Sequence, residues 1–212
     1  MPTRRSRQPV VRKAKQARSK VTVAAIVEAA ARVLAEQAWA GFNTNAVAAR
    51  AGVSIGSLYE YFPDKQALVD EIASAHLTRA EALLASTVAE ITGAEDPSTL
   101  VHALVRGLVD LHRDDPRLHR VLSSEAPLSA AIRARVETLR QEAIAFVGQA
   151  LNTHVDTPGV AAQLIVDTAD AVIHRWFVED DGQLTSAQRM TGELSRMLRA
   201  YLSSIPTPQA RP

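Results

Sequence analysis

Three observations predict an all-α chain. Apolar residues recur at helical spacing almost throughout, no apolar/polar alternation runs long enough for a useful strand, and the breaks carry residues that cap or start helices. The first helix follows from Thr22, a candidate N-cap, and from Val23, Ile26, Val27, Ala30, Val33 and Leu34 on one face; it is expected to end near Ala38. After a connection through Gly41, Asn43 or Thr44 can cap a very short second helix reaching Ala51, and Gly52 supplies a turn. Ser54 can cap a third helix through Tyr61, which Pro63 and Asp64 end. A longer fourth helix runs from Lys65 through Leu68, Ile72, Leu83, Leu84 and Val88 to about Ile91. The segment TGAEDPS breaks the chain, and Pro97 opens a helix to Arg113. Helices over 117–123, 128–152, 158–179 and 186–204 complete the plan.

A chain of 212 residues with 47% hydrophobic content can bury a sizeable core. It has no cysteine, which excludes disulfides, thiolate catalysis and thiolate metal sites and suits a reducing compartment. The amino terminus has no apolar signal region, and the most apolar stretch, 160–177, is interrupted by Asp167, Asp170, His174 and Arg175, so no membrane partner and a cytoplasmic location are expected. Net charge is only +1, but residues 1–20 carry eight bases (Arg4, Arg5, Arg7, Arg12, Lys13, Lys15, Arg18 and Lys20) and no acid. The other 192 residues hold 16 bases and 23 acids. A cationic arm, expected to be disordered, ahead of an acidic body points to a polyanionic partner for the arm.

Residues 52–56, Gly-Val-Ser-Ile-Gly, match the G-x-S-x-G pattern of a hydrolase nucleophile elbow, which would make Ser54 a nucleophile. That motif needs a strand feeding a sharp turn, with a parallel sheet behind it. Here the preceding residues, NTNAVAARAG, are an alanine-rich helical run. What remains is a short helix, a glycine turn and a second short helix, with Val47, Ala48, Val53 and Leu58 placed to pack the two together: a helix-turn-helix. The second of these helices opens on small residues, Ser54, Gly56 and Ser57, around Ile55. Such a helix can enter a major groove closely, Ser57 hydrogen-bonding and Ile55 touching a thymine methyl.

The stretch NTNAVAARAGVSIGSLYEYFPDKQALV resembles the DNA-binding segment of the TetR (tetracycline-repressor-like) family of transcriptional regulators, whose pattern includes A-G-V-S, G-x-L-Y-x-Y/H-F and K-x-x-L. The match is dense over 22–69; beyond it, the chain agrees in length, all-α character and a two-helix dimer face. The resemblance implies a three-helix DNA-binding domain at 21–66, a helical ligand-binding and dimerisation domain at 67–205, a tail at 206–212, no cofactor and no catalysis. It implies a homodimer on a palindromic double-stranded DNA operator, released by a small-molecule effector. Ser54, Ile55, Gly56 and Ser57 resemble the groove-facing start of the recognition helix, and Tyr59 and Tyr61 the hydroxyls that contact phosphate. Lys65 resembles the family's phosphate-binding lysine, while Thr44 and Asn45 resemble phosphate and base contacts. Thr22 and the arm residues Arg12, Lys13, Lys15 and Arg18 join this expected DNA-binding set. One departure is Ala38, where the family commonly has glycine.

In the larger domain, polar residues on otherwise apolar helices are candidate effector contacts: His102, Arg106, Asp170 and His174. Asp170 and His174, four apart on one face, suit a hydrogen bond better than a metal, since no further ligand follows at fixed spacing. His112 and His119, near Asp114 and Asp115, read as a solvated helix end. With 4% aromatic residues, the cavity is expected to be aliphatic and its effector hydrophobic. Along 158–179, Ile165, Val172 and Trp176 form one apolar line and Val166, Ile173 and Phe177 another, about 100° round the helix. Such a helix lies in mid-bundle or against a second copy of the chain. With Met190, Leu194, Met197, Leu198 and Tyr201 of the last helix, the first line is the expected isologous dimer face. Two other function classes remain: a hydrolase using Ser54, and a non-specific DNA binder acting through its arm alone.

Overall fold

The computed structural model describes residues 8–91, 96–179 and 186–208, with side chains left undescribed at 8–18, 90–91 and 178–179. Among the described residues there are nine helices: α1 (Gln8–Gly41), α2 (Thr44–Ala51), α3 (Ile55–Tyr61), α4 (Lys65–Ile91), α5 (Pro97–Asp114), α6 (Pro116–Ser124), α7 (Ala130–Leu151), α8 (Pro158–Glu179) and α9 (Ala187–Ser204). The chain is all-α, as its periodicity predicts.

The helix starts follow from capping chemistry. Asn43, Ser54, Asp96, Asp115 and Ser129 each accept a backbone N–H of the first turn they precede, and Pro97 and Pro116 occupy first-turn positions where no N–H is needed. The first helix departs from expectation at its start. Thr22 lies inside α1 and is not its N-cap, because the helix already runs at Gln8; Ala, Lys, Arg and Gln in RKAKQARSK favour helix over the disorder expected from charge alone. The side chains of Arg12, Lys13, Lys15 and Arg18 lie outside the described residues, as do residues 1–7 altogether.

α1 kinks at Ala38, whose φ of 54° and ψ of −178° belong to a region that glycine adopts freely and alanine does not. The kink lets the short last turn fold back so that Phe42 closes the bottom of the first core. That core joins Ile26, Val33 and Leu34 of α1 to Val47, Leu58 and Phe62, and to Leu68, Val69 and Ile72 of α4. It also takes in Leu118, Val121 and Leu122 of α6, so the packing unit of the N-terminal domain reaches past the expected boundary at residue 66. A second core, from α5, α7, α8 and α9, centres on Val101, Val105, Leu151, Ile165 and Ile173.

The second core corrects the expected dimer face. Ile165, Trp176, Leu194 and Leu198 are buried within a single chain, and Val172, Met190 and Tyr201 pack against the same core; of the set, only Met197 is well exposed. α8 therefore takes the mid-bundle alternative, both of its apolar lines being covered by neighbours in its own chain. Among its described residues, the large apolar side chains it leaves well exposed are Val160 and Leu164.

Candidate functional site: an exposed helix start and a cavity walled with histidine

The helix-turn-helix is assembled by α2 and α3 around Gly52. Its φ of 68° supplies the left-handed turn, and its N–H closes α2 on the carbonyls of Ala48 and Ala49. Val47, Ala48 and Leu58 bury the crossing, and an Arg50–Glu36 ion pair at 2.7 Å ties α2 to α1. Ser54 Oγ accepts the Ser57 N–H at 3.0 Å and donates to Ser57 Oγ at 2.9 Å. The serine is a helix cap, with no strand before it among the described residues, so the nucleophile-elbow pattern carries no chemistry here.

The face this leaves toward solvent is continuous. Asn45, Ser54, Ile55 and Gly56 are exposed, Thr44 and Ser57 are half-buried, and Tyr59, 48% exposed, shares a 3.0 Å hydrogen bond between its hydroxyl and Thr44 Oγ1. Ile55, 38% exposed, has no polar group to satisfy and stands at the tip. Tyr61 is different: its ring packs on the N-terminal core. Lys65, at the start of α4, donates from Nζ to the Trp39 carbonyl at 3.1 Å and lies 3.5 Å from the centre of the Trp39 ring. Burial lowers its pKa, while the cation–π contact and the carbonyl hold the ammonium in place and leave two N–H donors.

Behind this unit, α4, α5, α6, α7 and α8 surround a cavity of about 740 Å³, lined by apolar side chains such as Leu77, Leu104 and Leu108 and by a set of polar and charged ones. Two paired forks brace it. Arg135 of α7 reaches both carboxylate oxygens of Glu81 on α4 at 2.7 Å, and Arg140 reaches both of Asp167 on α8 at 2.9 and 2.8 Å. Asp170 and His174 line the cavity as expected. His102 and Arg106 do not: both are exposed on α5, each two residues, or about 200° of helix rotation, from the lining Leu104 and Leu108. His102 instead approaches Ser195 of α9.

Four histidines converge on one wall. His119 of α6 sits between His76 of α4, with Nδ1 3.2 Å from His76 Nε2, and His174 of α8, with Nε2 3.1 Å from His174 Nδ1. His112 of α5 packs against His119 with ring centres 4.0 Å apart and the planes tilted by 54°. The expected Asp170–His174 hydrogen bond is absent among the described residues; His174 pairs with His119 instead. Nor are His112 and His119 a solvated helix end, since His112 is only 2% exposed. Burial pushes His76 down to about 4, helped by Arg79 and His112, and His119 down to about 2, helped by the rings around it; His112 is also lowered by burial. These rings are neutral at neutral pH. Sequence spacing could not have found them, because residues 76, 112, 119 and 174 belong to four helices.

Two family models match the chain. Residues 26–72 match the model described as bacterial regulatory proteins, tetR family, and residues 96–202 match tetracyclin repressor-like, C-terminal domain. No curated protein matches the sequence. Solved structures are similar over nearly their whole length. The transcriptional regulator FadR from Bacillus subtilis, in complex with stearoyl-CoA, is 19% identical with a TM-score of 0.64 over 86% of this chain and 98% of its own. NalD of Pseudomonas aeruginosa, the secondary repressor of the MexAB-OprM multidrug efflux pump, is 18% identical at 0.64 over 85% and 96%. A TetR transcription regulator from Haloarcula marismortui is 18% identical at 0.68 over 88% and 98%. At these identities the likeness is one of fold.

Proposed function

The chain belongs to the TetR family of transcriptional regulators, and from that premise we propose that it acts as a homodimeric repressor, binding a palindromic operator and leaving it when a largely apolar small molecule enters the cavity. The observation that carries this reading is the start of α3. It is exposed, held in helical form by the Ser54 cap, and poor in side-chain bulk, so that its backbone can approach base edges while Ile55 and Ser57 read them. Thr44, Asn45, Tyr59 and Lys65 flank it as phosphate and base contacts, with Tyr61 reaching the backbone only by its tip; the arm residues Arg12, Lys13, Lys15 and Arg18 add charge-driven affinity. The second copy docks through the outer face of α8 and α9, where Val160, Leu164 and Met197 are exposed.

The cavity's position supports effector control. Its walls include α4, which carries Lys65 at its start, and α6, which is packed into the N-terminal core. An effector that prefers one packing of α4 and α6 shifts the spacing of the two reading heads away from the separation of about 34 to 36 Å that successive major grooves require. Selection of bound duplexes from a random pool tests the proposal. Enrichment of a palindrome with half-sites one helical turn apart is expected, and equal recovery of all duplexes would establish the non-specific binder instead.

No helix among the described residues is long and apolar enough to cross a membrane.

A further inference from the structure

His112, His119 and His174 bring one ring nitrogen each to within 4.8 Å of the others, from α5, α6 and α8. The His112 Nδ1 lies 2.8 Å from the Leu108 carbonyl. A carbonyl only accepts, so Nδ1 carries the proton and the lone pair is on Nε2. That nitrogen is buried and has no hydrogen-bond partner. An acceptor so placed is an uncompensated cost unless something binds it.

We propose that His112, His119 and His174 form a binding site for one divalent transition-metal ion of the zinc, nickel or copper kind, in the wall of the cavity. The donor set selects this class. Imidazole nitrogens suit zinc, nickel and copper, whereas magnesium and calcium take oxygen shells. The His119–His174 pair is already at ligand spacing: two imidazole nitrogens on a tetrahedral ion at about 2.0 to 2.1 Å stand about 3.3 Å apart, against the 3.1 Å between His119 Nε2 and His174 Nδ1, and His112, within 4.8 Å of both, closes on the ion by at most about 1.5 Å.

Protons balance without loss or gain. In the empty site, one of those two nitrogens donates to the other. With the ion bound, both present lone pairs and each ring holds its single proton on its other nitrogen: His174 on Nε2, and His119 on Nδ1, aimed at His76 Nε2, so that His76 carries its own proton on Nδ1. His112 already donates its remaining N–H to Leu108. Two of the three ligand rings thus have their outer nitrogen held by a protein group, the arrangement that fixes tautomer and ring orientation at metal sites, and His76 acts as a positioning residue. Three protein ligands leave a fourth position facing the cavity, open to water or to an oxygen of a bound molecule. Asp170, one turn before His174, lines the same space and supplies negative charge near His112.

The test needs no DNA, so its outcome is separate from that of the operator selection. The full chain, stripped with chelator, is titrated with Zn²⁺ against a competing chelator, and with Co²⁺ as a visible-absorption probe. Expected are one ion per chain, a Kd below about 1 µM and a four-coordinate cobalt spectrum. His112→Ala and His174→Ala, checked for helicity by circular dichroism, should each weaken binding at least about 100-fold, and His76→Gln about 10- to 100-fold. A His102→Ala, His154→Ala double variant should bind as the parent does. If the buried His112 variant does not fold, the half-buried His174 variant decides. Failure to bind Zn²⁺ at micromolar concentration, or affinity unchanged in the His174 variant, overturns the proposal.

Discussion

Residues 26–72 and the bundle behind them solve the packing problem differently. The N-terminal unit buries Ile26, Leu34, Val47, Leu58 and Leu68 fully, and leaves the start of α3 outside. The bundle keeps a void of about 740 Å³ and turns four imidazoles and Asp170 into it. A surface that must meet a rigid groove requires a stiff support, whereas a cavity that must admit a molecule has to leave contacts unmade.

The largest expected effect tests this contrast by truncation. Leu58→Ala, in the filled core, should cost toward the upper end of about 2–5 kcal/mol, while Leu104→Ala, which already borders the void and has fewer contacts to lose, should fall toward the lower end. Urea denaturation of both variants measures it; equal losses would break the contrast.

Next comes acid. His76 and His119 titrate in the fold at about 4 and about 2, below the 6.5 of an ordinary histidine, so between these values the unfolded chain takes up protons that the folded chain refuses. Stability is therefore whole above about pH 6.5 and falls by a few kcal/mol as the pH drops toward 4. The melting temperature of the parent should fall over that window, and that of His119→Asn should fall less steeply. Around these rings Arg79 lowers the His76 pKa, Asp114 and Asp115 oppose that, and Asp170 opposes the lowering at His112; burial outweighs them.

A smaller effect, opposite in direction, is expected at the corner of the reading unit. Ala38→Gly relieves a positive φ and should stabilise by about 1 kcal/mol, raising the melting temperature by roughly 2–4 °C. Smallest of all for stability is Tyr59→Phe, which removes an exposed hydroxyl bonded to Thr44 and should change folding by under about 0.5 kcal/mol. Its operator affinity should nonetheless drop several-fold; anisotropy titration beside a melting curve separates the two.

What the sequence disclosed follows the same division. The helix-turn-helix was legible because its determinants are local: the Asn43 and Ser54 caps, Gly52 and the apolar spacing of Val47, Ala48 and Leu58 lie within sixteen residues of one another. Even the departure at Ala38 was visible before its backbone angles were. The bundle was legible in helix number and position but not in contacts. An apolar line such as Ile165, Val172 and Trp176 records that a face is covered and not by which neighbour, so it was given to a partner when its own chain covers it. The histidine wall was hidden for the same reason. Only Asp170 and His174 share a helix, and that spacing suggested the wrong hydrogen bond. The basic arm shows a third limit, since the charge that suggested disorder is carried by residues with high helix propensity.

The central claim is that the exposed first turn of α3 reads bases, once per subunit. It is tested most directly by repeating the duplex selection with Ile55→Ala and Ser57→Ala, whose melting temperatures should match the parent's. The account predicts an enriched palindrome in which base preference relaxes at one position per half-site, at mirrored places on both arms. An unchanged consensus from both variants would contradict it.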